Sequence, residues 1–295
     1  GQVYIKEVNR LGQIGFICTD GQSIPFDQCF QGCRIADQHP AKKCMALRNL
    51  RMIADARVWN GKPSVTQLLK GTRESYLEII NDYYINPQDA IFRIIGTKAH
   101  AELDKYTADN EIGEIRLELE GITGAFDYYE DQCLYDSKTY GSYKVMKCLG
   151  IEMVDEPTGE VYKTGPKKGQ VKTKKVARQG IPDLDEQKLQ LNMYRLMLED
   201  TGFPVKKMFL DIAVRDGGLQ VATTRGVERN AYLIEVPRMA DDEVLAYFRV
   251  KRDALLTALE NRQTPPPCND IERWQGRKCQ SYCNVAEWCD LGGKA

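Results

Sequence analysis

Apolar residues recur at helical spacing in some stretches of this chain and alternate with polar ones in others. Leu189, Met193, Leu196 and Met197 step by three and four between Asp185 and Asp200, which predicts an amphipathic helix. A second long helical pattern runs from Asp241 to about Asn261 and stops before Pro265-Pro-Pro267. Ser64 or Thr66 can cap a helix through Leu68 and Leu69, and Thr72 another through Tyr76, Leu77, Ile80 and Tyr84. Ile91, Ile94 and Ile95 mark the apolar side of a third helix between Ala90 and Tyr106. Strands are predicted at Ile14 to Ile17, Lys207 to Val214 and Ala231 to Val236, with a further strand-like run at Val3 to Ile5. A helix is expected near Cys44 to Ile53. From about Lys147 to Asp185 the chain turns polar and is punctuated by Gly and Pro, which predicts a solvated, mobile loop.

The segment Ile122 to Tyr129 and the segment from Leu134 to Val145 are rich in β-branched and aromatic residues, and Glu130-Asp-Gln132 between them reads as a turn. The two form a predicted β-hairpin, with 122–129 paired to 134–145. Asp136 and Lys138 stand two apart, so an extended strand presents both to one face, with Asp127 on the neighbouring strand. Two acids and an ammonium on one face are costly in a core unless a cation or substrate balances them. That set suits phosphodiester hydrolysis, in which carboxylates hold a hard divalent metal and a lysine steadies the attacking water or the developing charge.

Composition narrows the setting. The chain has 295 residues, 28% of them charged, and a formal net charge of −1, so a nucleic-acid contact has to come from a local patch. Lys163, Lys167, Lys168, Lys172, Lys174, Lys175 and Arg178 form such a patch, of the kind that tracks a phosphate backbone. No run is long and apolar enough for a membrane span, no secretory leader pattern is present, and the chain reads as cytoplasmic. Ten cysteines in such a setting argue for metal binding rather than disulfides. Cys268, Cys279, Cys283 and Cys289 have ten, three and five residues between them, a set suited to a [4Fe–4S] cluster or tetrahedral Zn²⁺. Cys29, Cys33 and Cys44, with His39 between the last two, suit a second Zn²⁺, for which Cys18 could replace His39. Cys18, Cys133 and Cys148 otherwise read as small buried hydrophobes.

Four features stand in one order along the chain: Gly96-Thr-Lys-Ala-His100, Gly124-Ala-Phe-Asp127, Asp136-Ser-Lys138 and Gln190-Leu-Asn-Met-Tyr194. This series resembles the RecB-type branch of the PD-(D/E)XK nuclease superfamily, which includes the nuclease domains of bacterial recombination-repair helicase complexes and the CRISPR-associated iron–sulfur exonucleases. The resemblance implies an α/β fold with a restriction-endonuclease-like core, a central mixed sheet flanked by helices, and cysteine-rich additions at both ends. It implies that His100, Asp127 and Asp136 bind Mg²⁺ or Mn²⁺ and that Lys138 is the catalytic lysine. Gln190 and Tyr194 would position substrate or that lysine.

In the iron–sulfur members, three tail cysteines join one cysteine ahead of the core. Two departures are visible here: three residues separate Cys279 from Cys283 where two are usual, and Leu69-Lys-Gly-Thr-Arg-Glu74 carries no cysteine. Cys268 is the expected fourth ligand, with a [4Fe–4S] cluster favoured over zinc. The expected organisation is a cysteine-containing region at 1–62, a nuclease core at 63–264 with a basic insertion at about 147–185, and a metal-cluster tail at 265–295. The implied activity is a metal-dependent deoxyribonuclease acting on single-stranded DNA ends, in repair or an allied process. A Gly-x-x-x-x-Gly-Lys-Ser/Thr loop is absent, so unwinding falls to a helicase, recombination or CRISPR partner protein. The alternative reading is a non-catalytic nucleic-acid-binding or assembly module on the same fold.

Overall fold

The computed structural model describes residues 12–35, 43–55, 59–108 and 111–292, with the side chains at 93, 97–101 and 104 outside the described set. The chain is mixed α/β and divides into two units. The first comprises Gly1–Tyr106, Arg116–Ala125 and Ala240–Ala295; the second comprises Thr107–Ile115 and Phe126–Met239. No helix among the described residues is long and apolar enough to cross a membrane.

In the first unit, strand β1 (Gln13–Ile17) pairs antiparallel with β2 (Ser23–Pro25) and parallel with β3 (Tyr83–Ile85). Phe16, Ile24, Leu50 and Ile53 are buried, the last two from the helix Leu47–Ala54. Tyr84, expected at the end of a helix, lies in β3 instead, because the helix Thr72–Ile80 stops at the extended residue Asn81. Ser64 caps the short helix Val65–Leu68, its Oγ accepting from the Gln67 N–H at 3.3 Å. The long helix Asp241–Asn261 packs on Val65–Leu68 and on Thr72–Ile80, burying Val244, Phe248 and Leu255 from one stripe. Strands β4 (Ile115–Leu119) and β5 (Ile122–Phe126) form a ribbon whose turn residues Glu120 and Gly121 have φ of 53° and 74°. Two left-handed residues in a two-residue turn match the twist of the flanking strands. The helix Asp241–Asn261 holds this turn, with Arg249 paired to the Glu120 carboxylate and Arg252 donating to the Glu120 carbonyl at 2.7 Å.

The second unit is built on β6 (Tyr128–Glu130) and β7 (Cys133–Tyr140), a hairpin around Asp131 and Gln132 that is shorter than predicted: Ile122–Phe126 pairs with β4 instead, and the second strand stops at Tyr140, before a helix at Ser142–Cys148. The segment expected to be a mobile loop is not one. After the helix Ser142–Cys148, β8 (Ile151–Val161) and β9 (Val171–Gln179) form a long antiparallel hairpin. Its acids and bases face each other across the strands: Glu160 pairs with Lys172 at 2.9 Å, Asp155 with Lys175 at 3.7 Å, and Glu156 with Arg178. Cross-strand charge pairs supply the stabilisation that the polar composition conceals. The helix Asp185–Asp200 follows, then β10 (Lys207–Val214) and β11 (Ala231–Glu235). The strand order is β11-β10-β7-β6, with β7 and β10 parallel at the centre and antiparallel pairs outside. Leu134, Leu210 and Ile212 are fully buried in the two central strands.

The helix Asp185–Asp200 packs on β7 and is pinned by an internal polar network. Fully buried Arg195 donates to Asn192 Oδ1 at 3.2 Å, Glu199 Oε2 at 2.7 Å and the Met239 carbonyl at 3.3 Å. Asn192 donates to the Pro237 carbonyl at 3.1 Å and accepts from the Met239 N–H at 2.9 Å. A buried guanidinium is tolerated only with such a set of partners, and the set fixes the helix in position against the segment after β11.

Candidate active site

Strand alternation puts Asp136, Lys138 and Tyr140 on one face of β7, and the helix Asp185–Asp200 lies against that strand. Lys138 Nζ stands 2.6 Å from Asp136 Oδ2, with the Asp136 side chain only 3% exposed. The register Tyr128↔Tyr135 places Asp127 opposite Asp136. Asp127 is anchored by its Oδ2, which accepts the Ser137 backbone N–H at 2.7 Å. The opposite face of β7 is aromatic, with Tyr135 stacked on Phe209 at 5.4 Å between ring centroids.

From the helix, Gln190 and Tyr194 are both buried, and Gln190 Nε2 donates to the Tyr194 hydroxyl at 3.1 Å. Charge interactions link Tyr194 to Asp136, Lys138 and Asp127, so these groups share one locale. Burial alone would lower the Lys138 ammonium, but the Asp136 carboxylate overrides it and holds the lysine above its ordinary range. Burial pushes the Tyr194 phenol up to about 12 and Tyr140 well above its ordinary range. At neutral pH the site therefore contains a charged lysine and two neutral phenols.

Two members of this constellation went unnoticed in the sequence. Tyr140 continues the alternation begun by Asp136 and Lys138, and Gln187 precedes Gln190 by one helical turn. Gln187 Nε2 donates to the Tyr140 hydroxyl at 3.2 Å. Gln187 Oε1 is buried and has no hydrogen-bond partner among the described residues. A buried amide oxygen left this way is expensive, and a donor or ion beside it would offset the cost. The His100 side chain lies outside the described residues.

The tail cysteines Cys268, Cys279, Cys283 and Cys289 line one cavity with Arg73, Glu74 and Lys278. A side-chain carbon at Gly71 would meet the Cys268 sulfur at 2.2 Å, so the tail cysteine occupies space beside the helix that carries no cysteine of its own. The helix Thr72–Ile80 holds the tail by charge, with Arg73 bonded to the Pro265 carbonyl at 2.7 Å and to Asp290 at 3.0 Å, and Glu74 to Lys278 at 2.5 Å. Arg73 also approaches the Cys289 sulfur at 3.9 Å. Burial raises the Cys283 thiol to about 12, with Glu74 adding to it. Cys29, Cys33 and Cys44 line a second cavity together with Cys18; His39 lies outside the described residues. Cys148 is buried as expected, whereas Cys133 is half-buried. Among the described residues, no three Cys, His, Asp or Glu side chains stand at metal-ligand spacing, so each set of thiols shares a cavity without converging on one point.

No family model and no curated protein matches the chain. Among solved structures it is similar to SSO0001, at 14% identity over 84% of this chain and 95% of that one, with a TM-score of 0.41. It is also similar to a candidate exonuclease from Eubacterium rectale, at 12% identity over 71% of this chain and 61% of that one, with a TM-score of 0.30. Likenesses this distant assign no activity.

The elevated Tyr194 phenol has a consequence for stability. Its folded value of about 12 exceeds the ordinary value of about 10 for tyrosine, so the contribution is complete below about pH 10 and is lost as the pH rises toward 12. Chemical denaturation across that alkaline range is expected to show a shallower loss of stability for Tyr194→Phe than for the parent chain. Equal slopes would mean that the phenol is not held neutral by burial.

Proposed function

We propose that the protein is a metal-dependent nuclease of the PD-(D/E)XK type that hydrolyses DNA phosphodiester bonds, with single-stranded ends as the preferred substrate. The observation that carries this reading is the buried Asp136–Lys138 pair on one strand face with Asp127 opposite. A core ion pair is poor value for stability alone, because well-packed apolar residues do as well or better. The donor set fits a divalent cation: two carboxylates of hard oxygen character, with the unsatisfied Gln187 oxygen in the same locale. Asp127 and Asp136 would hold Mg²⁺ or Mn²⁺, with His100 as a further ligand. The chemistry such a cation would supply there is activation of water and neutralisation of charge on a phosphate oxygen.

The chain's own residues supply the rest. Asp136 keeps the Lys138 ammonium aimed along the strand face, where it can stabilise negative charge developing on the scissile phosphate. Gln190 fixes the Tyr194 hydroxyl, and Gln187 fixes that of Tyr140, so two neutral phenols flank the lysine as hydrogen-bonding groups. The Arg195 network keeps that helix from sliding along β7.

The hairpin β8–β9 is the proposed DNA contact, and its charge pairs decide which lysines serve. Lys172, Lys175 and Arg178 are engaged by acids of the opposite strand, and Lys174 lies in register with Glu156. Lys163, Lys167 and Lys168 sit at the tip, where phosphates would meet them first. In the tail, the four thiols are proposed to hold a [4Fe–4S] cluster, with zinc as the alternative, and Arg73 and Lys278 offset the thiolate charge.

End-labelled single-stranded DNA with Mn²⁺ or Mg²⁺ tests the activity. The parent chain should shorten the label, while Asp136→Ala and Lys138→Ala should each lose about a hundredfold or more in rate. Intact DNA with the parent protein, or equal cleavage by all three, refutes the assignment. Replacing Lys163, Lys167 and Lys168 with alanine should flatten the dependence of log affinity on log salt by about 2, from roughly 0.7 per phosphate contact on single strands. An unchanged slope would remove the hairpin tip from the interface. Anaerobically purified protein should be brown, with broad visible absorption that disappears in Cys283→Ser; a colourless zinc protein would favour the alternative metal.

A further inference from the structure

Four separate pieces of the first unit deliver a thiol to one cavity of about 190 Å³. Cys18 ends the first strand of the β1–β2 hairpin, where its N–H donates to the Gln22 carbonyl at 2.8 Å and its carbonyl accepts from Gly21 at 2.8 Å. Gly21 makes that turn at φ 82°, a conformation suited to glycine. Cys29 comes from the helix Phe26–Gln31, Cys33 follows that helix, and Cys44 precedes the helix Leu47–Ala54. The chain between these residues is long enough for each to approach from its own direction, with ten, three and ten residues intervening.

Structural cysteines in a core are sealed off, yet these four are all half-exposed and none is in a disulfide. The wall they share also carries Arg34 and Lys43, cations that an apolar core would exclude. Arg34, on the same wall as Cys18, is held by Asp20 at 2.6 Å. Positive side chains beside a thiol cluster are what the negative charge of metal-bound thiolates requires around it. The sheet beside the cavity is made of short strands, of five, three and three residues.

We infer that Cys18, Cys29, Cys33 and Cys44 form a structural tetrathiolate site for one Zn²⁺, separate from the tail cysteines. Zinc suits the set because it takes four soft ligands in a tetrahedron without a preference imposed by d-electrons. Each thiol gives up its proton to solvent on binding, and the doubly negative centre that results faces the Arg34 and Lys43 charges. Among the described residues the sulfurs do not stand at ligand spacing, so the inference requires them to close inward on binding. The inference assigns the fourth position to Cys18 rather than His39, because the hairpin turn delivers Cys18 to the cavity wall. It does not depend on the nuclease reading.

The test uses the full chain purified with zinc and labelled by N-ethylmaleimide, with each cysteine followed by peptide mass spectrometry. Cys18, Cys29, Cys33 and Cys44 should label together, about tenfold or more slowly before chelation than after it, while half-buried Cys133 labels at one rate throughout. Cys18→His should retain the zinc and Cys18→Ser should lose it. Labelling of the four that is indifferent to the chelator overturns the site. Release of Cys29, Cys33 and Cys44 without Cys18 overturns the fourth ligand, and iron with visible absorption tied to these four thiols overturns the metal.

Discussion

A carboxylate and an ammonium withdrawn from water on one strand face set the conditions for everything packed around them. Each ion alone would carry a desolvation cost of several kcal/mol, and their contact at 2.6 Å returns that cost only if neighbours complete the hydrogen bonding. Around the pair stand two phenols and two carboxamides, bonded to one another and supplied by the rest of β7 and by one helix, with the Asp127 carboxylate beside them. Polar neighbours of this kind add little charge of their own to the pair. They also leave it responsive to a third charged species.

That arrangement works only if the helix Asp185–Asp200 cannot rotate. A turn of the helix by one residue would take Gln187, Gln190 and Tyr194 off the strand face together, since they share one stripe. Arg195 and Asn192, on the side turned toward the segment after β11, prevent this. Glu199 serves both Arg195 and Arg238, so the outer end of the network is tied by a shared carboxylate. Rigidity at the site thus originates on the far side of the helix that forms it.

The residues legible in the sequence were those whose placement follows from local periodicity. Asp136 and Lys138 share a face whatever the tertiary fold, and Gln190 and Tyr194 share a helix stripe for the same reason. Tyr140 and Gln187 obey these periods too, but an uncharged tyrosine and glutamine give no signal until the partner element is known. The hairpin β8–β9 was hidden because its acids lie on one strand and its bases on the other. Read along the chain, each strand is a polar run; read across the register, the charges cancel. Cys18 reads in the sequence either as a buried hydrophobe or as a replacement for His39, because only the hairpin turn brings it to the cavity that Cys29, Cys33 and Cys44 line. His100 and His39 lie outside the described residues.

The parallel pairing of β7 with β10 has a temporal meaning. Everything between Tyr140 and Lys207, a helix, a hairpin and a second helix, must be synthesised before β7 acquires its central neighbour. Such distant pairings carry a loop-closure cost that local contacts do not, and they form late. Asp127, Asp136 and Lys138 can gather within their own short hairpin, but the helix that brings Gln187, Gln190 and Tyr194 and the strand that buries β7 reach them only later in synthesis.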